Sequence, residues 1–290
     1  MNESEPAESG WFGGVNPDDL EGARDAIESG ASESPADWPR LAVDTGFATD
    51  DGDYYDLLHA ATTTATRAMV EERERADDRQ LVHAVRAMED CQRTSNELAE
   101  RLAEWAGTVD DDAGTGLEYA RDLAARDPEP QEVAIVSLAG RVVDLADEAE
   151  DLRAFVERVT PTVAPNLAAL AGPILAARLI SLSGSLESLA KKPSGTIQVL
   201  GAEDALFAHL RGHAPSPKHG IIFTHDAVRG TRFEDRGSAA RAVAGKLAIA
   251  ARVDHYSGDY RPELEAELAA RIETIQARAA ASENGGSDDE

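Results

Sequence analysis

Between Ile135 and Val159 apolar residues recur at alternating spacings of three and four: Ile135, Leu138, Val142, Leu145, Ala149, Leu152, Val156 and Val159. On a helix this repeat gathers the apolar side chains into one narrow stripe, which must be covered. A single amphipathic core helix would satisfy it, but more than three heptads of unmixed seam favour a coiled coil. A rougher seam lies upstream, where Leu81, Val85, Met88, Gln92, Ser95, Ala99 and Leu102 step by four and three. It sits in a proline-free stretch of helix formers from about Asp53 to Trp105. Between the seams, Thr108–Gly116 (TVDDDAGTG) is a turn sequence, and the short helical piece after it stops at Asp127-Pro128. Two seams joined by a reversal predict an antiparallel helical coiled-coil hairpin. Its pairing residues are Leu81, Val85, Met88, Leu138, Val142, Leu145, Leu152 and Val156, and any apolar flank left uncovered suits self-association.

The charge is unevenly spread. The chain has 55 Asp and Glu against 28 Lys and Arg, a formal net charge of -27, and only four of the cations are lysine. Acidity with arginine replacing lysine is the pattern of adaptation to molar salt, as in halophilic archaea, where carboxylates hold water and counterions. The net charge then says little about partners, and the exceptions say more. Residues 161–262 hold 12 Lys and Arg against eight Asp and Glu, a local +4, which leaves -31 for the remainder. Lys191, Lys192, Lys218 and Lys246 all lie there, with five of the seven histidines. Such polarisation points to a retained polyanion-binding face. A set of solvated arginines without a ligand is the plain alternative.

These shifts divide the chain into 1–54, 55–160, 161–262 and 263–290. Residues 1–54 carry 14 acids and two arginines. There Asn16-Pro17 predicts the start of a helix reaching Ser29, and Trp11, Phe12, Trp38, Leu41, Phe47 and Tyr54 predict a small core. This is a thinly cored module, α/β or irregular. The last segment is a short helix and an acidic tail, SENGGSDDE, expected to be disordered. No run approaches the ~18 apolar residues of a membrane span, and MNESEPAESG lacks the basic and apolar regions of a signal peptide. The expectation is a mainly α, cytoplasmic protein without a membrane partner.

No catalytic constellation emerges. The one Gly-Lys pair, Gly245-Lys246, is followed by Leu247 where a P-loop needs a hydroxyl, and Ala240 stands at its first glycine position. His209 and His213 have helical i, i+4 spacing, but no third ligand recurs nearby, and Cys91 is the only cysteine. Neither a G-x-S-x-G turn nor a G-x-G-x-x-G strand–helix junction is found. The expectation is no metal, no cofactor and no enzyme. Binding features are stronger. Arg229, Arg232, Arg236, Arg241, Lys246 and Arg252 run into a helical stretch on which Arg241 and Arg252 fall about 20° apart, one stripe opposite Val243, Leu247 and Ala250. In KKPSGTIQVLGAEDALF (Lys191–Phe207), Pro193 is read as stopping a helix, Ser194-Gly195-Thr196 as a loop and Gly201 as lying near the next N-cap.

These blocks carry a resemblance. VAPNLAALAGPILAARLISLSGSLESLAKKPSGTIQVLGAEDALFAHL, PKHGIIF and RAVAGKLAIAARVDHY closely resemble the Nop domain, and NELAERLAEW looks like the same family's coiled-coil entry. The match covers roughly residues 78–260 and is most similar to archaeal core proteins of box C/D small ribonucleoproteins. The resemblance implies a non-catalytic scaffold of a guide ribonucleoprotein that methylates ribose 2′-hydroxyls of rRNA or tRNA. An N-terminal domain would dock fibrillarin, which would bind S-adenosylmethionine. The coiled coil would pair two copies, and a helical Nop domain would clamp box C/D guide RNA with a kink-turn-binding protein of the ribosomal L7 type. The candidate RNA contacts are Lys191, Lys192, Gln198, Gly201, Ala202, Glu203 and Phe207 in the first block. Lys218 and His219 follow, then His225, Arg229, Arg236, Arg241 and Arg252. The chain departs from the family's pattern at Asp204, commonly lysine, and in its short acidic N-terminal module. Alternatives are a Nop-domain protein of another kink-turn particle, as in splicing, or an acidic coiled-coil adaptor that binds only protein.

Overall fold

A computed structural model describes residues 10–30 and 36–284, and every regular element among them is helical. MNESEPAES and the last six residues of the acidic tail lie outside the described residues. The chain clusters into two compact units, Met1–Ala76 and Asp77–Glu290.

The first unit holds α1 (Leu20–Ser29), α2 (Trp38–Asp44) and α3 (Asp51–Arg75). Its core is the expected aromatic cluster: Phe12, Phe47 and Tyr54 are buried, with Trp11, Trp38 and Leu41 packed around them. Phe12 stacks on Phe47 with centroids 5.3 Å apart, and Trp11 Nε1 donates to the Tyr54 hydroxyl at 3.3 Å. An α/β module is not what forms: the described residues contain no strand, because the aromatics are not set in a period-two run. The helix start also moves. Asn16 Oδ1 accepts from the Asp18 N–H at 3.0 Å and closes a turn, and α1 begins after Asp19, whose Oδ1 accepts from the Gly22 N–H at 2.9 Å. The expected boundary at 54/55 falls inside α3, whose N-cap is Asp50 and which ends at the extended residue Ala76.

In the second unit α4 (Asp77–Ala106) and α6 (Val133–Val163) form the antiparallel hairpin, with α5 (Gly116–Ala124) packed on both. Leu102 and Ala106 at the end of α4 share a core with Ile135 and Val142 at the start of α6, while Leu81 and Val85 meet Val156 at the other end. The α4 seam is buried except at Gln92, which lines a cleft of about 180 Å³ with Met88, Ser95, Ala146 and Ala149. Ser95 Oγ closes this waist by donating to the Val142 carbonyl at 3.0 Å. On α6 the seam is only partly buried: Leu138, Leu145 and Leu152 are half-exposed, whereas off-seam Ala139 is fully covered. A straight helix drifts about 20° per heptad from a 3.5 repeat, and α5 covers a different flank. The helix also passes through Pro161, expected as a boundary, to Val163. So close to the C-terminus the missing N–H removes one helical bond, and the Ala164 N–H still reaches the Thr160 carbonyl at 2.8 Å.

The helical domain continues through α7 (Pro165–Ala171), α8 (Pro173–Ser183), α9 (Leu186–Ala190), α10 (Ser194–Val199), α11 (Glu203–Leu210), a 3₁₀ turn (Ile221–Thr224), α12 (Asp226–Arg229), α13 (Arg236–Tyr256) and α14 (Glu263–Asn284). Among the described residues no single helix is long and apolar enough to span a membrane. At the centre lies α13, in contact with α7, α9, α10, α12, α14 and the 3₁₀ turn. Six of its alanines are buried, so neighbouring helices approach its backbone closely. The final helix is no separate appendage. Leu264, Leu268, Ile272 and Ile275 step along one face of α14 into this core, and Lys246 of α13 pairs with Glu267.

One buried carboxylate ties three segments together. Asp254, near the end of α13, accepts from the Asn166 N–H at 3.0 Å, the Asn166 Nδ2 at 2.6 Å and the Leu167 N–H at 2.9 Å. It thus caps α7, whose N-cap residue Ala164 has no capping side chain. Asn166 in turn donates to the Asp259 carbonyl at 2.8 Å and accepts from the Arg261 N–H at 2.7 Å, fixing the link into α14. Burial pushes the Asp254 carboxyl above its usual value, against the pull of these donors. Replacing it with alanine strands the α7 N–H groups in the interior. Asp254→Ala is expected to lower unfolding free energy in a denaturant titration by about 3 kcal/mol. Asp226→Ala, which removes a carboxylate 89% exposed, should change it by less than about 1 kcal/mol.

Candidate nucleic-acid interface

The four lysines divide into two pairs. Lys191 is held by Glu187 at 2.5 Å and Lys246 by Glu267. Lys192 and Lys218 have no carboxylate partner among the described residues, and neither have Arg241 and Arg252. Arg241 and Arg252 lie, as expected, on the narrow exposed stripe of α13, with Ser238, Ile249 and Tyr256. Arg252 also donates to the Lys192 carbonyl at 3.3 Å, joining this stripe to the turn before α10.

That turn is shorter than expected. Ser194-Gly195-Thr196 is the first turn of α10 rather than a loop, because Pro193 stands at the N-cap and buried Ile197 holds the helix on the core. The end of α10 is laced to the Lys218–Ile221 segment. Gln198 Nε2 donates to the Lys218 carbonyl at 2.8 Å, Gly220 N–H to the Gln198 carbonyl at 2.8 Å, and Ile221 N–H to the Leu200 carbonyl at 2.7 Å. Gly220 is required here: a Cβ would lie 2.0 Å from the Leu200 oxygen. Gly201 has φ +81, which swings the chain out into α11. The N-cap is Ala202, next to Gly201 as expected, and Glu203 Oε1 accepts from the Gly201 N–H at 2.9 Å. Glu203 thus closes the helix start. No residue of α11 is buried, and Phe207 and Leu210 are 56% and 70% exposed. The helix ends before His213, and His209 Nδ1 donates to the Ala214 carbonyl at 3.0 Å, so the two histidines share no helix face.

Beside this edge, aromatic rings and cations alternate. His219 stacks on Phe223 with centroids 4.7 Å apart and an interplanar angle of 21°. The Arg236 guanidinium lies 5.3 Å from the Phe223 centroid and 5.9 Å from that of Phe233, and Lys218 Nζ sits 4.6 Å from Phe233. Phe233 is absent from the sequence-derived contacts; its one signal was a large apolar residue inside the basic series. Two residues named there are engaged by the protein itself. His225 caps α12, its Nδ1 accepting from the Ala227 N–H at 3.1 Å and its Nε2 donating to the Leu170 carbonyl at 2.8 Å. Arg229 is paired with Asp226 at 2.6 Å on the same helix.

Comparison with known proteins bears on the whole of this surface. The Nop family model, described as "snoRNA binding domain, fibrillarin", matches residues 72–275. The chain belongs to the Nop family. An uncharacterised NOP5-family protein of Methanocaldococcus jannaschii is 33% identical over 276 residues, spanning 82% of this chain and 66% of the relative. Nucleolar protein 58 of Scheffersomyces stipitis is 39% identical over 150 residues, 50% of this chain and 29% of that protein. A solved fibrillarin/Nop5p complex contains a chain superposing with a TM-score of 0.52 at 27% identity, covering 87% of this chain and 91% of that one. The chain therefore spans about two thirds or less of these curated relatives' length. The Nop match begins five residues before the second compact unit and takes in the hairpin, α10, α11, α13 and most of α14.

The electrostatics of the ring cluster are testable. Burial pushes the His219 imidazole below the usual 6.5, and Arg236 and Lys218 push it further. With its folded value depressed, this histidine contributes stability fully above the unfolded value, and the contribution is lost as pH falls through the folded one. NMR titration of His219 should give a midpoint below 6.5, and Arg236→Gln should move it upward. A midpoint unchanged in that variant would separate the guanidinium from the ring.

Proposed function

We propose that this chain is a non-catalytic scaffold of a box C/D guide ribonucleoprotein. Its Nop domain binds guide RNA together with a kink-turn protein of the L7 type, and the chain positions fibrillarin for ribose 2′-O-methylation of rRNA or tRNA. Fibrillarin supplies the active site and binds S-adenosylmethionine, and the particle works in the cytoplasm. The observation that carries this reading is the family match over residues 72–275, which encloses both the cation-bearing α10–α13 edge and the projecting α11. Lys192, Arg241 and Arg252 supply phosphate contacts there, and α11 offers Phe207 and Leu210 as an apolar wedge for shape recognition.

The hairpin provides self-association. Trp105, Val109, Leu117 and Val133 remain exposed around its turn, an apolar flank that a second copy would cover. We assign fibrillarin docking to the first unit, as the family resemblance implies.

Assembly on a box C/D RNA already carrying its kink-turn protein, in molar salt, tests the reading. Lys192→Ala and Arg252→Ala should each weaken binding about three- to tenfold, while size-exclusion shows an unchanged oligomer. Copurification should bring fibrillarin. Binding to a kink-turn RNA without fibrillarin would instead indicate another particle, and no RNA binding would leave a protein-only adaptor.

A further inference from the structure

The layered group His219, Phe223, Arg236, Phe233 and Lys218 holds cations in an unusual way for this chain. Many of its arginines, Arg93, Arg101, Arg141 and Arg153 among them, and the lysines Lys191 and Lys246 lie against carboxylates, yet Lys218 rests over a ring and Arg236 lies between two. Arg236 is further fixed by donating from Nε to the Thr231 carbonyl at 3.0 Å, and the nearest acid in sequence, Asp235, is turned to Arg232 at 2.8 Å. A ring positions a cation through its quadrupole without neutralising it. Both positive charges therefore remain available to an anion. At the inner end Phe223 and His219 are half-buried, but at the outer end Phe233 is 65% exposed. The Lys218 stem lies along Gly237 at 3.8–3.9 Å from where a Cβ would sit, so the ammonium is carried on a flexible arm over a small residue. It can leave the ring without disturbing the backbone.

From this geometry we infer that Phe233 is a stacking platform for one unpaired base of the bound RNA, with Lys218 leaving the ring for a flanking phosphate and Arg236 remaining as the inner wall. This rests on the RNA-binding reading above and names the kind of nucleotide the surface takes. A base in a duplex has its faces covered by its neighbours, so an exposed ring selects a nucleotide splayed from a loop, bulge or end. Stacking is also the contact that molar salt leaves intact, whereas phosphate contacts lose their counterion-release gain. An acidic, lysine-poor chain has reason to keep it.

The test uses the full chain and a box C/D RNA loaded with its kink-turn protein, together with RNAs in which each unpaired nucleotide in turn is abasic. Phe233→Leu should weaken binding about tenfold, in low and molar salt alike, and should leave the melting temperature unchanged. With one abasic RNA the penalty should vanish. Phe233→Trp should bind as wild type and lose emission on RNA addition. A penalty equal on every abasic RNA, or one that appears with the kink-turn protein alone, overturns the inference while leaving RNA binding intact. Absence of RNA binding by wild type would instead remove the reading beneath it.

Discussion

The architecture depends on the close approach that the alanines of α13 permit. Ala239, Ala240, Ala244, Ala248, Ala250 and Ala251 are buried, and larger side chains at these positions would push out α7, α9, α10 and α14 together. Because the helix is covered nearly all round, its exposed stripe is narrow and its functional side chains are few. Its two ends do separate work. At the first, Arg236 enters the aromatic cluster; near the second, Arg252 reaches the Lys192 turn while Asp254 caps α7 from within. One helix thus aligns the candidate RNA edge with the core.

The second constraint is electrostatic. A chain of net charge -27 neutralises many of its own cations: Arg93, Arg101, Arg141 and Arg153 all lie against acids three or four residues away on the hairpin. Such exposed pairs add little stability, but they remove free positive charge from that surface. Arg252, Arg236 and Lys218 are held instead by a carbonyl or a ring. This explains why so few lysines persist and why two of them sit on the α10–α13 edge.

The sequence made the long-range order legible where periodicity was strong. The α4 seam, the aromatic core of the first unit and the Arg241–Arg252 stripe lie where the sequence placed them, while the α6 seam is buried only in part. Spacing failed where a tertiary contact decides the local structure. Ser194-Gly195-Thr196 has turn composition yet is helical, because Ile197 is anchored on the core. Asp254 looked like one more acid in an acidic chain, and only the fold brings Asn166, 88 residues away, to its oxygens. His225 carried the right chemistry for RNA, but both ring nitrogens belong to the protein. Phe233 is illegible in the sequence for the opposite reason: a lone exposed ring has no period, and its cations arrive from Lys218 and Arg236 through the fold.

The central claim is that this surface reads RNA through shape and stacking, with only a few phosphate contacts. The salt dependence of assembly measures it directly. Lys192, Lys218, Arg241 and Arg252 allow about four phosphate contacts, so log K against log salt should have a slope no steeper than about -4. A tenfold rise in salt should therefore cost no more than about 10⁴ in affinity, leaving measurable binding in molar salt. A slope near -8 or steeper, with binding abolished in molar salt, would show that charge dominates and contradict the account.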